Sequence, residues 1–205
     1  MALMLDGVQE MAQDVLACVC AALQDAAAQV DGQPGCPCRS CLVPGLVSWN
    51  SCDDPCTPVP AEQAGGQLSV SVARLYQSTD FPTPDRGPAR AAARGRSACV
   101  PPAPLAVELL VTLLRCAPTM DEGGCPPSCD ERGDVARILH TDMAVVYNAL
   151  LCCLPATSGR RRGRVVFVGE SKTVGAQGGC VGLEQRVTVA LRACLCPDET
   201  GGGTP

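Results

Sequence analysis

The most constraining feature of this sequence is how few aromatic residues it has. One tryptophan, two tyrosines and two phenylalanines occur in 205 residues, although 46% of the chain is hydrophobic. That apolar content is typical of a folded protein rather than a disordered one. The core must therefore be built from valine, leucine, alanine and cysteine, and the length suits one domain or two small ones.

Charge and hydropathy exclude several classes of protein. The formal net charge is −5, whereas a general nucleic-acid binder would be basic. No apolar run approaches roughly 18 residues, so we expect no membrane span. The N-terminus "MALMLDGVQEMAQD" is acidic, where a signal peptide would be basic, so we expect the protein to stay unexported.

Periodicity predicts two helices and four strands. Leu5, Val8, Met11, Val15 and Val19 recur at helical spacing before "DGQPG" ends the first helix, and a second amphipathic pattern runs from Val135 to Cys153. Alternating patterns predict strands at 67–77, 105–117, 164–170 and 184–194. We expect strand 105–117 to be central, because it is apolar on nearly every position.

This order of elements predicts an α+β fold, a four-stranded, mostly antiparallel sheet with two helices packed on one face. We expect a single domain over 1–196 with a Cys-rich loop at 35–56, a Pro- and Arg-rich projecting loop at 78–104, and a disordered tail at 197–205.

Sixteen cysteines raise the question of metal or disulfide chemistry. Cys38, Cys41, Cys52 and Cys56 form two close pairs, and such spacing lets thiolates converge on one tetrahedral zinc ion. Zinc, late disulfides and free thiols all remain open for this loop. If a metal ion or disulfides cross-link this loop, an arrangement that we call the four-cysteine clip, we expect it to use these four cysteines and to leave Cys36 over. Cys18, Cys20, Cys152 and Cys153 lie in predicted helices, where cysteine serves as a small core hydrophobe.

No stretch predicts an active site. His140 is the only histidine and is expected to be structural or exposed, and "GESKT" lacks the spacing of a phosphate-binding loop. "GRRRGR" (159–164) reads as a solvated turn, or alternatively as a contact to DNA phosphates. We therefore expect no enzyme activity and no cofactor, apart from the zinc alternative.

Several stretches together resemble a known family. They are "LACVCAAL", "VARLYQSTDFPTPD", "LRCAPT" (114–119), "DMAVVYNALLCC", and "GGCVG" (178–182) before the last strand. In that order they resemble head–tail connector and tail-terminator proteins of long-tailed (siphovirus-type) phages of actinobacteria. The likeness covers most of 8–194, but Glu184 and Gln185 stand where the relatives usually have tryptophan.

The resemblance implies a structural virion protein at the head–tail junction, made in the host cytoplasm. A tail terminator forms a ring, usually a hexamer, that caps the tail tube and joins it to the neck. Its partners would be further copies of itself, the major tail tube protein and the head–tail stopper, with DNA passing through without specific binding and no membrane involved. Another connector component, a stopper or adaptor, stays open, as does a zinc-stabilised interaction module.

Overall fold

The computed structural model describes residues 5–45, 64–86, 104–118, 120, 123–158, 164–177 and 179–191. Two long helices and five strands make up this part of the chain. In chain order they are α1 (Leu5–Gln29), β1 (Pro37–Leu42), β2 (Ala64–Gln77), β3 (Leu105–Cys116), α2 (Cys129–Cys152), β4 (Val166–Gln177) and β5 (Cys180–Leu191), with a 3₁₀ helix at Leu154–Ser158 between α2 and β4.

The strands form one mixed sheet in the order β1-β2-β3-β5-β4. β1 pairs with β2 in parallel, and the other neighbours are antiparallel. The expectation of an α+β fold with two helices is confirmed. The predicted number of four strands is wrong, because a fifth strand, β1, lies in the first part of the expected Cys-rich loop 35–56. This strand is only six residues long, and its apolar and polar residues do not alternate cleanly. Its parallel pairing with β2 is therefore what identifies it as a strand.

β3 lies at the centre of the sheet and carries most of the core. Alternate side chains, Val107, Leu109, Val111 and Leu113, are fully buried on one face. They pack in one cluster with residues of both helices, so both helices lie on this face, which we call the helix side. The opposite face is the open side. Each fully buried Leu or Val contributes about 1.5–3 kcal/mol.

The helices supply an aliphatic layer that matches the predicted pattern. Met11, Val15, Val19 and Leu23 of α1 are buried at steps of four residues, and Val146 and Leu150 of α2 join them. No aromatic residue belongs to the core cluster of the described residues. The prediction of a core without aromatics is therefore confirmed for this part of the chain.

A capping box fixes the start of α2. The Glu131 amide donates to the Ser128 hydroxyl at 3.2 Å, and the Ser128 amide donates to the Glu131 carboxylate at 2.8 Å. Both bonds satisfy donors that have no partner inside the helix. The hydrogen bond from the Ser128 side chain, followed by that from its backbone, lowers the pKa of Glu131.

The segment Cys129–Ala156 is long and apolar enough by length and composition to span a membrane, with a mean hydropathy of 1.4. This differs from the expectation that no span would be found. The core helix of a globular protein passes the same test. Leu139, Val146 and Leu150 of α2 are buried in the domain, and so is the charged Asp142. The expected domain end at 196 and the tail 197–205 lie outside the described residues.

Candidate functional site

Two stretches that carry the family resemblance meet at one end of the sheet. Cys116 of "LRCAPT" on β3 lies directly opposite Cys180 of "GGCVG" on β5 in the strand register. The Ala117 amide donates to the Gly179 carbonyl at 2.8 Å. We call residues 114–118 and 179–182 the motif end. Stretches that are far apart in sequence therefore form one structural unit.

Glycines flank the β3 backbone at the motif end. A Cβ on Gly182 would lie 2.1 Å from the Leu113 carbonyl oxygen, and one on Gly66 of β2 would lie 2.1 Å from the Leu114 carbonyl oxygen. Gly66 also has a φ of +106°, which other residues rarely adopt. Neither position has room for a side chain, so the role of Gly182 in the motif is structural.

A buried ion pair anchors the motif end to α2. Arg115 donates from Nε to Asp142 Oδ2 at 2.8 Å and from Nη2 to Oδ1 at 3.0 Å, a bidentate arrangement. The side chains are 4% and 0% exposed. Gln33 adds a bond from Nε2 to Asp142 Oδ1 at 2.7 Å. We call Arg115, Asp142 and Gln33 the clamp.

The clamp also holds the segment that follows α1. Arg115 Nη1 donates to the Gly35 carbonyl at 2.9 Å, and Nη2 reaches the Pro34 carbonyl at 3.3 Å. One guanidinium therefore joins β3, α2 and the connection between α1 and β1. A buried charge without a partner is very unfavourable, so each member of the clamp depends on the others.

The chemistry of the clamp suits holding β3, α2 and the segment after α1 together rather than catalysing a reaction. Both oxygens of Asp142 accept hydrogen bonds from cationic or amide donors. An arginine guanidinium is not deprotonated at ordinary pH, so it is unsuited to act as a general base. The carboxylate therefore has no free oxygen directed at a substrate, and the geometry fits a structural role.

A second charged cluster lies on the open side. Glu108 of β3 accepts from Arg74 of β2 at 2.7 Å and from Arg186 of β5 at 2.5 Å. Burial raises the pKa of Glu108, but the hydrogen bonds and charges of the two arginines outweigh burial, and the net pKa is lowered. Nearby, Lys172 and Glu184 form an ion pair at 2.7 Å. These pairs tie neighbouring strands across the sheet.

The stretch "VARLYQSTDFPTPD" folds into the end of β2 and a compact turn. The Tyr76 hydroxyl donates to the Pro82 carbonyl at 2.8 Å, and the Asp85 amide donates to the Gln77 carbonyl at 2.9 Å. Hydrogen bonds from the Thr79 backbone and side chain lower the pKa of Asp85. The predicted loop 78–104 therefore starts as a closed turn, while residues 87–103 lie outside the described residues.

Two disulfides correct the expectation for the helical cysteines. Cys18 of α1 is bonded to Cys153 just after α2, and Cys20 is bonded to Cys36 before β1. Cys18 lies in the core cluster and Cys20 and Cys153 pack against it, but the sequence reading missed that all three are disulfide-bonded. Cys36, expected to be left over by the clip, is the partner of Cys20. Positions 18 and 20 point to different sides of the helix, so each sulfur reaches a different element.

The predicted four-cysteine clip stays a prediction. Cys38 lies at a bulge in β1 and is disulfide-bonded, while Cys41 of the same strand is a half-buried thiol. Cys52 and Cys56 lie outside the described residues. Among the residues that the structure does describe, no group of three His, Cys, Asp or Glu side chains is placed to hold a metal ion. Because residues 38 and 41 are part of a strand, they do not form the tight turn that a zinc knuckle needs.

The remaining candidates take ordinary positions. His140 is exposed on α2, whereas Asp142 is buried in the clamp, so the two side chains face different surroundings. Of "GRRRGR", residues 159–163 are not described, and Arg164 forms an ion pair with Asp14 of α1. "GESKT" lies within β4 rather than in a loop.

Sequence reasoning missed the clamp. The available signal was an arginine near the end of a mostly apolar strand, and an aspartate on the apolar side of α2. Comparisons with known proteins add no identification. No protein-family model matches the chain, and no curated protein matches it.

Proposed function

We propose that this protein is a structural, non-catalytic subunit of the head–tail junction of a long-tailed phage, and that it acts as the tail terminator. Copies of the chain would form a ring, hexameric in the family that it resembles. The ring would cap the tail tube and present a surface to the neck protein of the capsid.

The observation that carries this proposal is the meeting of the family-like stretches. "LRCAPT" supplies Arg115, "DMAVVYNALLCC" begins with Asp142, and "GGCVG" supplies Gly182 beside the same strand. Two of the family-like stretches thus supply clamp residues, and a third lies beside them on β5. The contacts support the proposal because stretches that are far apart in sequence form one structural unit.

The electrostatics are compatible with a channel for DNA. The net charge is −5, and the arginines of the open-side cluster share the carboxylate of Glu108. An arginine whose charge is balanced by a neighbouring carboxylate offers less grip on phosphates. A terminator needs this property, because the genome must pass through its ring.

Electron microscopy of the purified protein tests the ring. We expect annular particles with an axial hole at micromolar concentration. Particles without a hole under native conditions, or a monomer throughout, would count against any connector role.

A tube-capping assay separates the terminator from the other connector components. Tail tube protein of the same phage should polymerise to open-ended tubes alone, and to shorter tubes with a ring at one end when this protein is added. A stopper or adaptor would form rings without shortening the tubes. Zinc analysis addresses the remaining alternative, since about one tightly bound zinc per chain would favour an interaction module.

A further inference from the structure

A single disulfide ties the connection between α1 and β1 back onto α1. Cys20 lies on α1, and Cys36 directly precedes β1. Both cysteines are half-buried and pack against the core cluster. We call the Cys20–Cys36 disulfide the latch. It closes the connection 30–36 onto the helix from which this connection emerges.

The clamp fixes the peptide group that leads into Cys36. Arg115 Nη1 donates to the Gly35 carbonyl at 2.9 Å, and this carbonyl belongs to the peptide bond between Gly35 and Cys36. Arg115 Nη2 reaches the Pro34 carbonyl at 3.3 Å. The arginine side chain is 4% exposed and is itself held by Asp142. The backbone before Cys36 is therefore attached to a buried, fixed group.

Gly35 also brings this backbone close to α1 beside Cys20. A Cβ on Gly35 would lie 2.5 Å from Gln24 Oε1, and Gln24 follows Cys20 by about one helical turn on the same face. The lack of a side chain at Gly35 therefore lets the connection pack against the face that carries Cys20. These contacts do not involve the sulfurs, so they are available to hold Cys36 near Cys20 when the thiols are reduced.

We propose that the latch is a redox-sensitive device whose stability is set by the clamp. In the reduced protein the clamp keeps Cys36 beside Cys20, which raises the effective concentration of one thiol at the other. Oxidised glutathione, a small disulfide, then closes the latch in two exchanges. One protein thiolate attacks it and releases a glutathione, and the second thiolate attacks the protein sulfur of the mixed disulfide and releases the other. The protein loses two electrons and two protons, which convert one glutathione disulfide into two glutathione thiols.

Coupling between the latch and the clamp works in both directions. If the clamp stabilises the disulfide by some factor, the disulfide stabilises the clamp contacts to the connection by the same factor. A reducing medium opens the latch and leaves the clamp alone to hold residues 30–36, whereas an oxidising medium adds a covalent link. The inference goes beyond the proposed function and does not depend on it, since it concerns the isolated chain.

The Cys18–Cys153 disulfide provides an internal reference. Cys18 is 4% exposed in the core cluster, and Cys153 packs against the same cluster. Among the described contacts of Arg115, none involves the backbone next to either cysteine. Packing of the two helices holds this pair, so we expect its stability to depend on the clamp much less than that of the latch does.

A redox titration of the purified chain tests the inference. The protein is equilibrated in buffers with different ratios of reduced to oxidised glutathione. Free thiols are trapped with a light maleimide, and the oxidised sulfurs are labelled with a heavy maleimide after reduction. Mass spectrometry then gives the oxidised fraction of each cysteine, and circular dichroism checks the folding of each variant.

The test variant combines Arg115→Met with Asp142→Leu. It removes the donor to the carbonyls before Cys36 and leaves no charge of the clamp buried without its partner. Asp134→Asn is the control, because it removes a carboxylate at an exposed position of α2.

We expect the double variant to form the latch with an equilibrium constant at least about tenfold lower than wild type, which corresponds to a reduction potential about 30 mV higher. The Cys18–Cys153 bond should change much less, and D134N should match wild type. A general loss of stability would weaken both bonds together, so a change confined to Cys20 and Cys36 identifies the clamp contacts as the cause.

Hydrogen exchange checks the reverse coupling without altering the clamp. Replacing Cys20 and Cys36 together by alanine removes the latch, and replacing Cys18 and Cys153 together by alanine is the matched control. The Gln33 amide lies in the connection and donates to the Val30 carbonyl at 3.1 Å. By linkage, it should exchange faster without the latch and stay nearer to wild type in the control. If the double variant of the clamp proves unfolded, this measurement decides.

Several outcomes would overturn the inference. They are an oxidised fraction of Cys20 and Cys36 that is the same in wild type and in a folded double variant at every glutathione ratio, equal shifts of both disulfides in that folded variant, an equally large effect of D134N, or unchanged exchange at Gln33 without the latch. Failure of the proposed function looks different, because absent rings or uncapped tubes leave the redox titration unaffected.

Discussion

Replacing Asp142 by asparagine tests the clamp most directly. The substitution keeps the size of the side chain and removes its charge. Arg115, 4% exposed, would then be a buried cation whose remaining acceptors are the Pro34 and Gly35 carbonyls and a neutral amide. Removing one member of a buried ion pair usually costs about 3–5 kcal/mol. We expect D142N to lower the free energy of unfolding by that amount.

The assay is urea denaturation of the oxidised protein, followed by circular dichroism and fitted with a common slope. Asp134→Asn is the control, since it makes the same change at an exposed position of the same helix. The control should stay within about 0.5 kcal/mol of wild type. For a chain of this size, the loss in D142N corresponds to a melting temperature lower by roughly 6–20 °C.

A double variant separates the charge from the packing. Arg115→Met with Asp142→Leu removes both charges and leaves apolar side chains of similar size. Such replacements are often neutral or stabilising, although here two carbonyls lose their donor. The double variant should therefore be more stable than D142N alone. A loss below about 1 kcal/mol in D142N, or a double variant worse than the single, would refute the clamp as an anchor of the motif end.

Three further predictions concern the core, the disulfide and pH. Leu109→Ala should cost about 2–4 kcal/mol in urea denaturation, because the side chain is fully buried in the central strand; a loss below about 0.5 kcal/mol would contradict its burial. Replacing Cys18 and Cys153 together by alanine should cost about 2–4 kcal/mol under non-reducing conditions, since the bond closes a separation of 135 residues. Glu108 has a lowered folded pKa, so its contribution is present above its unfolded pKa of about 4.3 and is lost as pH falls through the folded value. The stability difference between wild type and Glu108→Gln should therefore be largest near neutral pH and shrink below about pH 4, and a difference that is independent of pH would contradict the ion pairs.

The long periodic elements could be predicted from the sequence because their signal is local. Leu109 and Val111 belong to a nearly continuous apolar run, and Val15 and Val19 recur at helical spacing. β1 was missed because six residues around Cys38 acquire strand geometry only through pairing with β2.

The contacts that join distant elements were not predictable from spacing. The Cys18–Cys153 and Cys20–Cys36 bonds depend on how α1 lies against the end of α2 and the start of β1. Connectivity among many cysteines has too many solutions to be read from sequence alone. The same holds for Arg115 and Asp142, since the apolar surroundings of each residue are visible in the sequence but their meeting across the fold is not.

The positions of the disulfides and ion pairs in the fold affect how copies of the protein could assemble. Both disulfides with two described ends involve α1, and the clamp ties α2 to β3 and to the segment after α1. The helix layer and the centre of the sheet are therefore held by covalent and ionic links. Towards β2 and β4 the links between described residues are ion pairs, Arg74 of β2 with Glu108 and Lys172 of β4 with Glu184. A subunit built in this way keeps its core rigid, so association of copies into a ring would need little rearrangement of the domain.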